Sequence, residues 1–288
     1  MPKIYILLPV HNRKDITRGF VECLRAQTFT DYQLVLIDDG SSDGTAEMVK
    51  EYIPAATVLR GTGDWWWAGS LQQGIEWLRR QNISDDDMVL IINDDVSIKE
   101  DFLKIGVKLL EDTKNALLQA RIYCNKTNEL IGAGKVFDGK TLEFRPALEG
   151  EDINCLTTNG LFVRWCDLKR IGNFYTKLMP HYISDLEFTI RAHARGLRLK
   201  SPPELVLHWN MDTTGLRQYD PDISFWEFIK SYFSKKHVMN PLHWTAFVLL
   251  GEYVQHRPRH IYVIWARAGR DILAKALRSS KRFLFGHY

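Results

Sequence analysis

Two short acidic clusters close apolar runs in this 288-residue chain. Asp38-Asp39-Gly40-Ser41-Ser42 follows residues 33–37, and Asn93-Asp94-Asp95 follows residues 88–92. Carboxylates brought together repel one another, and a divalent cation or a hydrogen-bonding ligand is the usual compensation. Each cluster alone reads equally well as turn chemistry, because Asp, Asn, Gly and Ser all favour loops. If both lie at one edge of a sheet, they make a site. The chain has neither G-x-G-x-x-G nor G-x-x-x-x-G-K-[ST], so it lacks both glycine-rich phosphate cradles. If the ligand is a nucleoside diphosphate, a metal held by Asp95 with help from Asp94 is the simplest way to neutralise it. Hard oxygen ligands favour Mg2+ or Mn2+ over zinc.

Other residues carry chemistry of their own. Ser184-Asp185-Leu186-Glu187 opens a helical stretch. It reads either as an acidic pair at a site or as a capping box with Asp185 favouring the helix dipole. A helix N-terminus lowers a carboxylate's pKa, so a base at Asp185 needs burial or a nearby acid to offset that effect. Trp65, Trp66 and Trp67 are consecutive and cannot all face one core. Trp66 and Trp67 are therefore expected to contact a sugar or acceptor at a cleft. His208 ends a strand-like run beside Trp209. Gly40-Ser41-Ser42-Asp43-Gly44 matches G-x-S-x-G, with Asp185 and His208 following in hydrolase order. A serine hydrolase using Ser42 is thus a competing reading, although two carboxylates beside the nucleophile oppose oxyanion formation.

The elements that must position these residues follow from hydrophobic periodicity. Strands are expected at 3–8, 33–37, 57–59 and 88–92, and helices at 15–27, 45–52, 68–80 and 100–111. Nearly continuous apolar strands alternating with amphipathic helices predict an α/β fold, its parallel sheet covered on both faces and its ligands bound beyond the strands' carboxyl ends. After residue 117 the pattern becomes mixed. Asp138-Gly139 signals a hairpin, 160–163 and 205–207 read as strands, and 184–195 as a helix. Helices are expected at 224–235, 241–253 and 259–284. The expected organisation is a domain over 1–215, with its nucleotide half at 1–115 and acceptor half at 116–215, and a helical, basic extension over 216–288.

The ordered set Pro9-Val10-His11-Asn12-Arg13, Asp38-Asp39-Gly40-Ser41-Ser42-Asp43-Gly44-Thr45 and Asn93-Asp94-Asp95 resembles the signature of family 2 glycosyltransferases over about the first 210 residues. The resemblance implies a GT-A fold, a Rossmann-like mixed sheet flanked by helices, and an inverting, metal-dependent transferase. It implies that Asp39 reads the nucleotide base, with Pro9, His11, Asn12, Arg13 and Asp94 also at the donor nucleotide. It implies that the D-x-D motif, here Asn93 and Asp95, holds the metal and the diphosphate. Asn93 replaces the first acid of that motif, which shifts weight to Asp95. Asp185 matches the acceptor-activating base, Glu187 belongs to the same acidic pattern on the acceptor side, and His208 matches a histidine that helps hold the metal. The Trp66-Trp67-Ala68-Gly69 stretch resembles rhamnosyltransferase-like members. The implied donor is a dTDP-rhamnose or UDP-sugar, and the acceptor a glycan or polyprenyl-linked glycan in surface polysaccharide synthesis. A non-catalytic sugar-nucleotide-binding domain is the alternative that Asn93 favours.

Composition agrees with a globular protein, at 45% hydrophobic and 25% charged residues. The net charge of +3 is unevenly spread. Residues 257–282 hold eight Lys/Arg and one acid, a local +7 that leaves −4 elsewhere. The body has no nucleic-acid footprint, whereas the basic, apolar tail suits a membrane surface as an interfacial helix, or a second copy of the chain. The four cysteines lack metal-ligand spacing. Without a signal segment or an apolar run of about 18 residues, the expectation is a cytoplasmic protein, peripheral on the inner face of the plasma membrane if the tail binds lipid.

Overall fold

The computed structural model describes residues 2–213 and 223–285, with side chains through 279. The first half alternates as the periodicity predicts: β1 (Ile4–Val10), α1 (Lys14–Arg25), β2 (Tyr32–Asp38), α2 (Thr45–Tyr52), β3 (Thr57–Arg60), α3 (Trp66–Arg79) and β4 (Met88–Ile91). Then come β5 (Val96–Ile98), α4 (Phe102–Glu111), β6 (Ala116–Gln119), β7 (Arg121–Cys124), β8 (Leu130–Gly132), β9 (Lys135–Asp138), β10 (Glu143–Pro146) and β11 (Leu161–Arg164). The chain continues through α5 (Trp165–Ile171), α6 (Ser184–Ala194), β12 (Arg198–Lys200), β13 (Val206–Trp209), α7 (Phe225–Tyr232), α8 (Pro241–Leu250) and α9 (Arg257–Phe285).

Seven strands form the main sheet in the order β12-β6-β11-β4-β1-β2-β3, in which only β11 runs against its neighbours. The strands read as unbroken apolar runs because both faces are covered. Along β2, Leu34 and Leu36 join one core with Phe20, Leu24 and Val49 from α1 and α2. Val35 and Ile37 join another with Leu71, Ile75 and Leu78 of α3. Burying each such side chain contributes about 1.5–3 kcal/mol. Register places Val10 beside Asp38 and Leu7 beside Ile91, so β1, β2 and β4 end at one edge.

A second sheet, β5-β13-β7-β8, lies beyond that edge. Its strands of three or four residues are too short to show a period, and β5, β7 and β8 are not legible in the sequence. Asp94 and Asp95 occupy the step where the chain leaves the main sheet at β4 and enters the second at β5. The Asp138-Gly139 turn is present as the β9–β10 hairpin.

The C-terminal helices pack onto the 116–215 half of the chain. Ala246, Phe247 and Val248 of α8 share a core with Phe137 and Phe144 of the hairpin and Ile190 of α6. The expected 215/216 boundary lies outside the described residues. No helix among the described residues is long and apolar enough to cross a membrane.

Candidate functional site

The Asp38-Asp39 cluster is a built loop. Asp38 Oδ1 accepts from the Ser41 N–H at 2.8 Å, closing a turn at the end of β2. Asp39 is buried, and its carboxylate accepts two backbone N–H groups: Oδ1 from Gly63 and Oδ2 from Trp66, each at 2.9 Å. Gly40 has φ +76°, and a Cβ there would lie 2.7 Å from the Gly63 nitrogen. Only glycine allows the 61–63 backbone to close over Asp39 in this way. The β1–α1 segment is laced to the same loop. His11 Nδ1 donates to the Asp39 carbonyl at 2.6 Å, the Asn12 N–H to Ser41 Oγ at 2.9 Å, and the Ser42 N–H to Asn12 Oδ1 at 2.8 Å. Pro9 lies opposite Ile37 within the sheet.

The Asn93-Asp94-Asp95 triplet has unequal members. Arg13 Nε donates to both oxygens of Asp94, at 2.8 and 3.0 Å, and Thr17 Oγ1 donates to Oδ2 at 2.7 Å. Both oxygens of Asp94 are therefore held inside the protein, by Arg13 and Thr17. Thr17 gave no signal in the sequence. Asp95 lies 3.4 Å from Arg13 Nη2 through Oδ2, while its buried Oδ1 has no hydrogen-bond partner. Burial raises the Asp95 pKa, and the nearby Trp209 indole and Arg13 pull it back. A buried carboxylate oxygen without a donor fits a hard divalent cation, which would satisfy it. Asn93 Oδ1 accepts from Trp67 Nε1 at 3.4 Å.

His208 does not share this environment. Its Nε2 faces Asn128 Oδ1 at 3.3 Å and its ring lies against Tyr123, while Trp209, the next residue of β13, is the one beside Asp95. Alternation along a strand sends the two side chains to opposite faces, so the His208 ring lies on the other face of β13 from Trp209. Among the described residues no group of three or more His, Cys, Asp or Glu gathers as a metal site.

At α6 the expected capping box is absent. Ile183, at φ +61°, caps the helix, and Ser184 Oγ donates to the His181 carbonyl. Glu187 is buried against Arg191, whose Nε and Nη2 reach its two oxygens at 2.8 and 2.9 Å. Arg191 also bonds the carbonyls of Ile171 and Asn173. Glu187 thus forms a buried ion pair that ties successive turns of α6 together. Asp185, two residues earlier, keeps part of its surface open. It lies deep enough that desolvation raises its pKa, opposed by backbone N–H groups and Lys135. Burial supplies the offset to the helix dipole that a base requires. Cys155 lies nearby, its thiol pushed up to about 12 by burial and by the charge of Asp185, so it is inert.

The tryptophan run joins the acidic clusters. Trp66, at φ +59°, gives its N–H to Asp39, and the Ala68 N–H donates to the Pro180 carbonyl, ahead of α6. Trp65 and Trp67 pack on the core, with Trp67 edge-on to Phe174 and its N–H on Asn93. Trp66 instead stands edge-on to His181, 6.1 Å between centroids. Asn159 Oδ1 accepts from the Asn93 N–H at 3.1 Å, and three residues earlier the Leu156 N–H donates to Thr189 Oγ1 of α6 at 3.0 Å, so the 156–159 segment ties the triplet to the helix that bears Asp185. Ser42 Oγ turns to Asn12 Oδ1 at 3.4 Å, and among the described residues neither Asp185 nor His208 is hydrogen-bonded to it, so no hydrolase triad forms.

The sequence model of "Glycosyl transferase family 2" matches residues 5–168. The glycosyltransferase AglE of Haloferax volcanii is 23% identical over 203 residues, covering 69% of this chain and 64% of AglE, a little under two thirds of that relative. Among solved structures, the mannosyltransferase PcManGT of Pyrobaculum calidifontis, in complex with GDP-Man and Mn2+, superposes with a TM-score of 0.59 at 16% identity, covering all of this chain and 76% of PcManGT. S. aureus TarS superposes with a TM-score of 0.58 at 16% identity, covering 98% of this chain and 44% of TarS. The fold is the GT-A fold of these neighbours.

Proposed function

The chain belongs to glycosyl transferase family 2, and from that premise we propose that it moves a sugar from a nucleoside-diphosphate donor to an acceptor hydroxyl with inversion. The observation that carries this reading is the bridge from Asp39 through Trp66 and Trp67 to Asn93, which brings two acidic loops together at one sheet edge. The nucleotide sugar bound by PcManGT, and the UDP-GlcNAc in the complex of TarS residues 1–349, support a donor of this class.

In this reading Asp39, oriented by two backbone N–H groups, accepts a ring N–H of the base. Either uracil or thymine suits it, so a UDP-sugar or dTDP-rhamnose is the proposed donor. Asp95, through its unpartnered Oδ1, would hold Mg2+ or Mn2+, which supplies charge neutralisation at the departing diphosphate. Asp185 takes the proton from the acceptor hydroxyl as that oxygen bonds the anomeric carbon. The bond to the diphosphate breaks on the opposite face, and its electron pair leaves with the diphosphate. Base catalysis of this kind contributes about 10²- to 10⁴-fold. Trp66 is the proposed sugar or acceptor contact of the tryptophan run.

The proposed acceptor is a glycan or polyprenyl-linked glycan of a surface polysaccharide. α9 supports a cytoplasmic protein held at the inner face of the plasma membrane: Tyr262, Leu273 and Leu277 are exposed among Arg259, Arg267, Arg270 and Arg278. A homodimer through the same helix is the alternative. A thermal-shift screen of sugar nucleotides with and without Mn2+ tests the donor reading, since a ligand at 100 times its Kd adds about 2.7 kcal/mol to stability. Absence of any shift sinks it. A non-catalytic binding domain, which Asn93 favours, would show the shift without Mn2+-dependent donor hydrolysis.

A further inference from the structure

The turn between α7 and α8 lays two lysines over Trp66. Lys235 Nζ lies 5.6 Å and Lys236 Nζ 5.3 Å from its ring centroid. Lys235 is neutralised by Asp64 Oδ1 at 2.6 Å, and Asp64 also accepts from Trp66 Nε1. Lys236 makes no ion pair among the described residues. On the same indole stands His181, and Nδ1 of His181 and Nδ1 of His243 are both buried without a hydrogen-bond partner. Burial, then Lys236, then His243 push the His181 pKa down to about 4, so two groups of the 236–243 segment are felt at His181. Near neutral pH each imidazole offers one N–H, and the ammonium adds an unbalanced charge.

Two unsatisfied ring nitrogens, a free ammonium and an aromatic wall are the complement of a compact anion with several acceptor oxygens. The place of this cluster points to the acceptor. His181 belongs to the turn that leads into Asp185 and α6, whereas Arg13 and Asp95, where the donor's charge would sit, meet on the β1–α1 and β4–β5 loops. We propose that Lys236 and His181, both at the Trp66 ring, together with the unpartnered His243, form a binding subsite for a phosphoryl group carried by the acceptor. The subsite itself stands on these contacts, and its assignment to the acceptor rests on the transferase reading above.

Calorimetric titration of the full chain with methyl phosphate, with UDP and Mn2+, and with both together tests this. Methyl phosphate is expected to bind whether or not UDP is present. The Lys236→Ala variant, altered at an exposed side chain, should weaken that binding by about tenfold or more. Lys236→Arg should retain it, and UDP affinity should be unchanged in both. Displacement of methyl phosphate by UDP, unchanged binding in Lys236→Ala, or equally tight binding of acetate would each overturn the proposal. Failure of the unaltered chain to bind UDP, with methyl phosphate still bound, would instead remove the donor reading and leave the phosphoryl subsite standing.

Discussion

Arg13 spans the acidic triplet, with Nε on both oxygens of Asp94 at 2.8 and 3.0 Å and Nη2 3.4 Å from Asp95 Oδ2. One guanidinium therefore separates two adjacent aspartates by role. Asp94 anchors α1 to the end of β4, and Asp95 keeps one oxygen, Oδ1, without a hydrogen-bond partner.

Removing either carboxylate should accordingly give opposite signatures. Asp94→Ala leaves Arg13 and Thr17 without their shared partner, and breaking a buried pair in this way costs about 3–5 kcal/mol. Urea unfolding should show that loss. Asp95→Ala should cost much less, because burial already penalises its ionised form and its pairing to Arg13 is long. It should nevertheless abolish Mn2+-dependent nucleotide binding. Equal stability losses in the two variants would contradict this division.

Asp185 gives a linked pair of outcomes. Its native pKa is raised by desolvation, so the native state binds the proton more tightly than the unfolded state does. Stability then falls as pH rises from the unfolded value through the raised one, and at neutral pH the ionised group is destabilising. Asp185→Asn should leave the melting temperature equal or higher while lowering transfer by about 10²- to 10⁴-fold, with donor binding intact. In the unaltered protein the acid limb of kcat/KM should lie above the ordinary carboxylate range. A destabilised yet active Asp185→Asn would reverse both statements.

The loop around Asp39 depends on Gly40. At φ +76°, with a would-be Cβ 2.7 Å from Gly63 N and 2.9 Å from the Thr62 carbonyl carbon, alanine meets both backbone strain and a clash that no side chain can relieve. Gly40→Ala should cost at least about 1–3 kcal/mol and raise the Kd for nucleotide, because Gly63 and Trp66 would no longer orient Asp39. Calorimetry with UDP distinguishes this from a change in stability alone.

α9 predicts an electrostatic, surface-type association. Vesicles containing anionic phospholipid should sediment the protein at low salt and release it at high salt, since exposed charges are screened within about 8 Å at physiological ionic strength. Neutral vesicles should retain far less. Replacing Arg267, Arg270 and Arg278 by Ser should abolish the difference. Concentration-dependent dimerisation without lipid binding would favour a second copy of the chain as the occupant of that face.

Much of the first half of the chain was legible in sequence, because a parallel α/β sheet writes itself as apolar runs, helical periods and turn residues at strand ends. β1 to β4, α1 to α3 and the loops bearing Asp39 and Asp95 all follow from local spacing. The second sheet was not legible, since β5, β7 and β8 are too short to carry a period.

Sequence alone determined the class of fold and the candidate acids, because periodicity and turn chemistry are properties of neighbours along the chain. The tertiary structure decided which of those acids are open. It tied Asp94 to Arg13 and Glu187 to Arg191, turned Trp209 rather than His208 toward Asp95, and brought Lys235 to Asp64 across 171 positions. A carboxylate's availability depends on burial and on the donor that reaches it. Those are set by packing between distant segments, which no local pattern encodes.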